Sequence, residues 1–146
     1  MLGTFMSIPT SRPDLLMMKR PVFTTWNYFF KHVDQSKVLE FARQINANNY
    51  SISQLEIDDR WEEFYGDLDF DVRKFPNVSE LTSNLHAMNM RVTLWVHPFC
   101  NIDSKCFVAG SNLELWIKDQ FGQQPALTSW WNGKFSAILG KKPASL

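Results

Sequence analysis

Three stretches of this chain space their apolar residues as buried strands do, and two space them as helices do. Pro21 opens VFTTWNYFF, residues 22–30, whose β-branched and aromatic side chains predict a first strand. From Asp34 the period lengthens, and Val38, Leu39, Phe41, Ala42 and Ile45 fall on one helical face, with Asp34 or Ser36 as cap and the Asn46–Asn49 cluster as stop. A second strand is predicted over Tyr50–Asp58, on Ile52, Leu55 and Ile57. A second helix is predicted over Ser79–Met88, capped by Ser79 or Asn77 after Pro76. The third strand, Met90–His97, is almost continuously apolar and ends at Pro98. Strand, helix, strand, helix, strand implies parallel strands, right-handed crossovers and helices on the outside, which is an α/β barrel or sheet in part.

The flanks are less regular. Residues 1–20 read as a surface lead-in with a helical turn near Asp14–Lys19. Residues 99–131 form a long loop after the third strand, with one helix expected over Asn112–Lys118, and the closing ILGKKPASL carries no fourth strand. Long loops at the C-terminal ends of barrel strands commonly build the site.

A length of 146 residues suits one domain, and 15 basic against 15 acidic side chains, with Lys and Arg scattered, leave no footprint for nucleic acid or an anionic membrane surface. No segment has the length of a membrane span or the apolar core of a signal peptide. Cys100 and Cys106 lack metal or redox spacing and are either free thiols or one local disulfide. Sequons begin at Asn49 and Asn77 and matter only in the secretory pathway.

Candidate chemistry concentrates in LEIDDRWEEFYGDLDFDVRKF, residues 55–75. An ionised carboxylate at the end of a buried strand is costly unless it is paired or used. Asp58 and Asp59 are neighbours on an extended segment, so only one faces the barrel mouth, and we expect Asp58 to hold sugar hydroxyls there. The alternative is a local cap or an ion pair with Arg60 or Arg73. Asp67, Asp69 and Asp71 imitate a calcium loop, but Val72 and Val78 stand where that loop needs Gly and Glu, so a solvated turn is expected. His97 reads as a structural hydrogen-bonding residue, and no ligand spacing implies a metal or cofactor. Trp95, Trp130 and Trp131 offer flat faces suited to a pyranose ring as well as to a core.

LEIDDRW, YGDLDFDVRKFPN, MRVTLWVHPFCN and WWNG, in this order and spacing, resemble glycoside hydrolase family 31, most closely its myogenesis-regulating glycosidase branch, from about Pro9 to Leu139. The resemblance implies the first three strands of a partial (β/α)8 TIM barrel over residues 21–139, acting on α-linked glycosides with retention through two carboxyl groups. It implies that Asp58, Trp95 and Trp131, and less directly Trp26, contact substrate. The family's nucleophile and acid/base lie on later strands, so no catalytic residue is assigned to this sequence. Where many α-glucosidases of the family read D-[IL]-D-Y-M, this chain reads IDDRW, and the closer branch points to an α-galactoside. After Leu139 similarity ceases, and 140–146 reads as a divergent tail from a truncated gene model or splice variant. The branch further implies a full-length protein in the lumen of the endoplasmic reticulum or Golgi, glycosylated at Asn49 and Asn77, with a homo-oligomer left open. The rival expectation is a non-catalytic short isoform that binds a sugar or a partner.

Overall fold

The computed structural model describes residues 9–129 and 135–138. Asp14 accepts from the Leu16 and Met17 amides, caps α1 (Leu15–Lys19) and pairs with Arg91 at 2.8 Å, tying the lead-in to the rest. Strand β1 (Val22–Thr24) is only three residues long. The predicted strand through Phe30 is therefore corrected: Thr25 turns the chain into the helical turn α2 (Trp26–Phe29), closed by Phe30 at φ 54°. Its aromatic residues do not join the sheet but stack on one another and on Phe41 of the following helix, so composition was satisfied by ring packing instead of strand pairing.

Helix α3 (Gln35–Ala47) is capped by the Asp34 carboxylate on the Lys37 amide and buries Val38, Ala42 and Ile45, as its spacing predicts. Strand β2 (Gln54–Ile57) lies between β1 and β3 (Val92–Leu94), parallel to both, with Thr24 opposite Glu56 and Glu56 opposite Thr93. Between β2 and β3 runs α4 (Val78–Ala87), capped by Asn77 on the Glu80 amide. The three parallel strands match the expected partial barrel, although β2 and β3 are shorter than predicted.

One face of this sheet is apolar. Phe23, Leu55, Ile57 and Val92 pack with Val38, Ala42, Ile45, Leu81 and Leu85 of the two helices, and Leu55, Leu81 and Leu85 are fully buried. Alternation along the strands sends Thr24, Gln54, Glu56 and Thr93 to the opposite face, where the Gln54 amide donates to the Thr93 hydroxyl at 3.2 Å.

The long segment after β3 departs most from expectation. It contains α5 (Lys105–Asn112) in place of a helix over Asn112–Lys118, and a second, antiparallel sheet of β4 (Phe99–Asn101), β5 (Leu127–Ser129) and β6 (Phe135–Ile138) in the order β4-β6-β5. Gly110 interrupts the helical pattern in sequence, yet it is required: a Cβ there would lie 2.4 Å from the Trp116 ring, which stacks on Phe107. Gly66 is constrained twice, by a φ of +93° and by the Cys100 sulfur 2.8 Å from where a Cβ would sit. Gly66→Ala is expected to destabilise the fold by about 1–3 kcal/mol, as a shift of the urea midpoint at constant slope; an unchanged midpoint would disprove the close approach.

Candidate functional site

Parallel strands that end together leave their loops, and the polar side chains at their last residues, on one rim. Asp58 follows β2 directly and continues the inward alternation of Gln54 and Glu56. Its Oδ2 accepts from the Thr24 hydroxyl at 2.9 Å, its Oδ1 accepts from the Asp59 amide at 2.7 Å, and its own amide donates to the Thr25 hydroxyl at 2.9 Å. The residue is 8% exposed and has no ion pair among the described residues. Asp59 points elsewhere: it is buried in the following loop, where the Tyr65 phenol donates to its carboxylate at 2.5 Å. The two carboxylates thus divide as the alternation requires, and Arg73, an expected alternative partner, binds Asp71 instead.

Glu56 stands two residues before Asp58 on the same face. Burial pushes its carboxyl up, as do the hydrogen bond and charge of Asp58, while the Thr24 hydroxyl acts in the opposite direction. Two acids that share a poorly solvated site each oppose the ionisation of the other.

Trp95 lies one residue past the register of Ile57 with Leu94, next to Asp58, with its amide on the Ile57 carbonyl at 2.9 Å. Its carbonyl accepts from the Trp61 indole at 2.8 Å, so the buried Trp61 fixes the backbone that carries Trp95. The Trp95 ring is half-buried and meets His97 edge-on at 4.9 Å and Tyr65 at 6.4 Å, forming an aromatic wall. His97 Nδ1 accepts from the Phe99 amide at 3.3 Å, and burial lowers its pKa, which favours neutral imidazole at physiological pH. Trp26 lies on α2 and not on the first strand; its amide donates to the Thr24 hydroxyl at 3.3 Å, so it joins the same rim through its backbone. Trp131 and Trp130 lie outside the described residues.

The acidic loop is not the solvated turn expected. Asp67 accepts from the Cys106 amide at 2.7 Å and the Lys105 amide at 3.3 Å at the start of α5, and Tyr65 and Asn101 exchange hydrogen bonds, so the loop fastens the second sheet to the barrel. The buried Glu62 carboxylate accepts from the Gly66 and Leu68 amides and holds the loop's turn. Asp71 is buried and held below the usual carboxylate range chiefly by the Arg73 guanidinium. A carboxylate with a depressed folded pKa stabilises fully above its unfolded value of about 3.9 and loses that contribution as pH falls through the lower folded one. Stability to urea is therefore expected to decline on acidification below about pH 4 less steeply in Asp71→Asn than in the parent; identical slopes would remove Asp71 from the acid response.

Cys100 and Cys106 are free thiols, and burial first, then Cys106, pushes Cys100 up to about 12, so it is not a reactive thiolate. Asn49 is exposed past the end of α3 at φ 57°, while the Asn77 side chain is engaged with Glu80 as the α4 cap. Among the described residues no group of three or more His, Cys, Asp or Glu could hold a metal, and no helix is long and apolar enough to cross a membrane. Sequence reasoning missed Thr24, Glu56, Trp61 and Tyr65. The strand alternation that singles out Asp58 also marks Glu56, whereas the Tyr65 and Trp61 bonds span loops and leave no local trace.

The profile of the glycosyl hydrolases family 31 TIM-barrel domain matches residues 17–142. The myogenesis-regulating glycosidase of Mus musculus is 42% identical over 139 residues, covering 95% of this chain and 19% of that protein. The chain thus spans about a fifth of the curated relative's length. TtGalA, an alpha-galactosidase from Thermus thermophilus in complex with p-nitrophenyl alpha-D-galactopyranoside, superposes with a TM-score of 0.68 at 22% identity, over 82% of this chain and 24% of its own. A GH31 dextranase from Flavobacterium johnsoniae complexed with glucose gives a TM-score of 0.70 at 15% identity, over 82% and 14%. At these identities the structural likeness establishes the fold.

Proposed function

The chain belongs to glycosyl hydrolase family 31, and from that premise we propose that it supplies part of the glycone-binding wall of a retaining α-glycosidase whose substrate is an α-galactoside. One observation carries the reading. Asp58 is an almost fully buried carboxylate at the rim, met by the Thr24 hydroxyl, the Asp59 amide and the neighbouring Glu56 carboxyl and by no cation among the described residues. Such a group is incompletely compensated, and the hydroxyls of a sugar supply the missing donors. Trp95 beside it gives an apolar ring face, so one residue orients the sugar's polar edge and the other packs against its body.

The nucleophile and the acid/base fall to later strands of the barrel in this reading, and neither role to a residue of this sequence. The α-galactoside rests on IDDRW in place of the signature common among α-glucosidases, and on the Thermus enzyme, an alpha-galactosidase of the same fold. Location in the secretory lumen would put the sequons to use, with Asn49 better exposed for glycosylation than the capping Asn77.

The test is to follow hydrolysis of an aryl α-D-galactopyranoside by proton NMR, using a protein that joins this sequence to the rest of its barrel. The α-anomer of galactose is expected first, mutarotating later. Initial β-anomer would refute retention, and faster turnover of the matching α-glucoside would refute the galactoside assignment.

A further inference from the structure

The polar face of the parallel sheet brings two carboxyls together. Thr24 on β1 and Thr93 on β3 stand opposite Glu56 in register, and Asp58 follows Glu56 by two residues on the same face. Glu56 is half-buried, and Asp58 is almost fully so. Both carboxyls lie within hydrogen-bonding reach of the Thr24 hydroxyl and of each other.

A count of donors leaves this cluster one hydrogen short. Thr24 has a single hydroxyl hydrogen, which goes to Asp58 Oδ2 at 2.9 Å, while its oxygen accepts the Trp26 amide at 3.3 Å. The Asp59 amide donates to the other Asp58 oxygen, and the Gln54 amide, next along the face, donates to Thr93 instead. Two ionised carboxylates would therefore contend for one hydroxyl hydrogen, with no cation paired to either among the described residues. A proton held by the pair turns one acid into a donor and replaces a repulsion with a hydrogen bond. Burial pushes the Glu56 carboxyl up, the Thr24 hydroxyl opposes this, and the hydrogen bond and charge of Asp58 add to the rise. The next titratable side chain along β3 is His97, which meets the Trp95 ring and feels the charge of Asp59. Helices α3 and α4 pack on the opposite, apolar face.

We propose that Glu56 is a positioning residue for the sugar site, sharing one proton with Asp58 and so fixing how the Asp58 oxygens face the rim. This rests on the reading of Asp58 as a sugar contact. When the pair loses its proton, the Thr24 hydrogen has two claimants, and like charges push the Asp58 oxygens away from the sugar's hydroxyls. Substrate binding then weakens as pH rises.

The shared proton is tested without substrate. A carboxyl whose folded pKa is raised contributes stability that is present below its unfolded value of about 4.3 and is lost as pH rises through the higher folded value. In urea melts of the 146-residue chain, Glu56→Gln cannot ionise, so its midpoint is expected to gain on the parent from about pH 4.3 upward and then level off. A constant difference between about pH 4 and pH 8 would overturn the shared proton.

The positioning role is tested by kinetics on an α-galactoside, in the protein that joins this sequence to the rest of its barrel. Glu56→Leu is expected to raise KM about two- to tenfold with a smaller change in kcat, and Glu56→Gln, which restores a donor, to recover most of that loss. The KM of the parent should climb with pH once the pair ionises, whereas that of Glu56→Gln should not. Thr24→Val removes the shared hydroxyl, is expected to raise KM similarly, and serves where Glu56→Leu fails to fold. An unchanged KM in these variants, while Asp58→Asn loses activity, would overturn the positioning role and leave the sugar contact standing. Unchanged activity in Asp58→Asn as well would remove both.

Discussion

Asp58→Asn is expected to lower kcat/KM on an α-galactoside by about 10- to 150-fold, the equivalent of the 1.5–3 kcal/mol of a hydrogen bond to a charged group. Asparagine keeps the shape of the side chain, its oxygen accepting the Asp59 amide and its NH2 donating to the Thr24 hydroxyl, which can act as an acceptor, so the rim retains its geometry. It loses the charge and half of the acceptor capacity, which are what a sugar's hydroxyls would use. A loss shared between kcat and KM would mean that the contact forms with substrate and tightens in the transition state, whereas a rise in KM alone would mean uniform binding. The melting temperature should hold or rise, because a poorly compensated buried charge has been removed. A change in kcat/KM under twofold, with the fold intact, would take Asp58 out of the sugar pocket and leave it a structural acid.

The largest effect on stability is expected at Trp61, where Trp61→Ala should cost about 3–5 kcal/mol. The ring is 1% exposed, lies 4.7 Å from Phe70, and donates its indole N–H to the Trp95 carbonyl at 2.8 Å, while its own carbonyl accepts the Asp71 amide at 2.9 Å. Truncation leaves a cavity in the main core and an unsatisfied carbonyl under the aromatic wall. Against a typical net stability of about 5–15 kcal/mol, that loss is a large fraction of the whole. Trp61→Phe keeps most of the packing and removes the hydrogen bond, so it should cost about 1–2 kcal/mol, and its fluorescence should report a looser Trp95. Urea melts of the two variants measure this; equal midpoints for Trp61→Ala and the parent would mean that the loop is not anchored by this ring.

Asp58 faces the sheet's polar side, and Arg60, two residues on, turns at positive φ toward the helices.

Much of the framework was legible because it depends on short-range periodicity. The spacing of Val38, Ala42 and Ile45 with Asp34 ahead of them specifies α3 and its cap, and Asn77 before Leu81 and Leu85 specifies α4. Alternation through Gln54, Glu56 and Asp58 against Leu55 and Ile57 specifies which carboxylate leaves the core, since side chains on a strand point to opposite faces in turn. The four motifs identified the family, and the comparisons agree. What escaped depends on contacts that the sequence does not encode locally. VFTTWNYFF has strand composition, but only Val22–Thr24 finds a partner in β2, and the rings beyond it pack on Phe41. The helix Lys105–Asn112 seats the Trp116 ring against Gly110, six residues away, where a Cβ would leave no room. Pairing of Phe99–Asn101 with Phe135–Ile138 joins strands more than thirty residues apart. Periodicity by itself determined α3 and α4, the parallel order and the facing of Asp58, because those follow from backbone geometry. The second sheet and the aromatic wall were decided by tertiary structure, because long-range pairing and desolvation depend on which residues meet, and that is fixed only when the chain closes on itself.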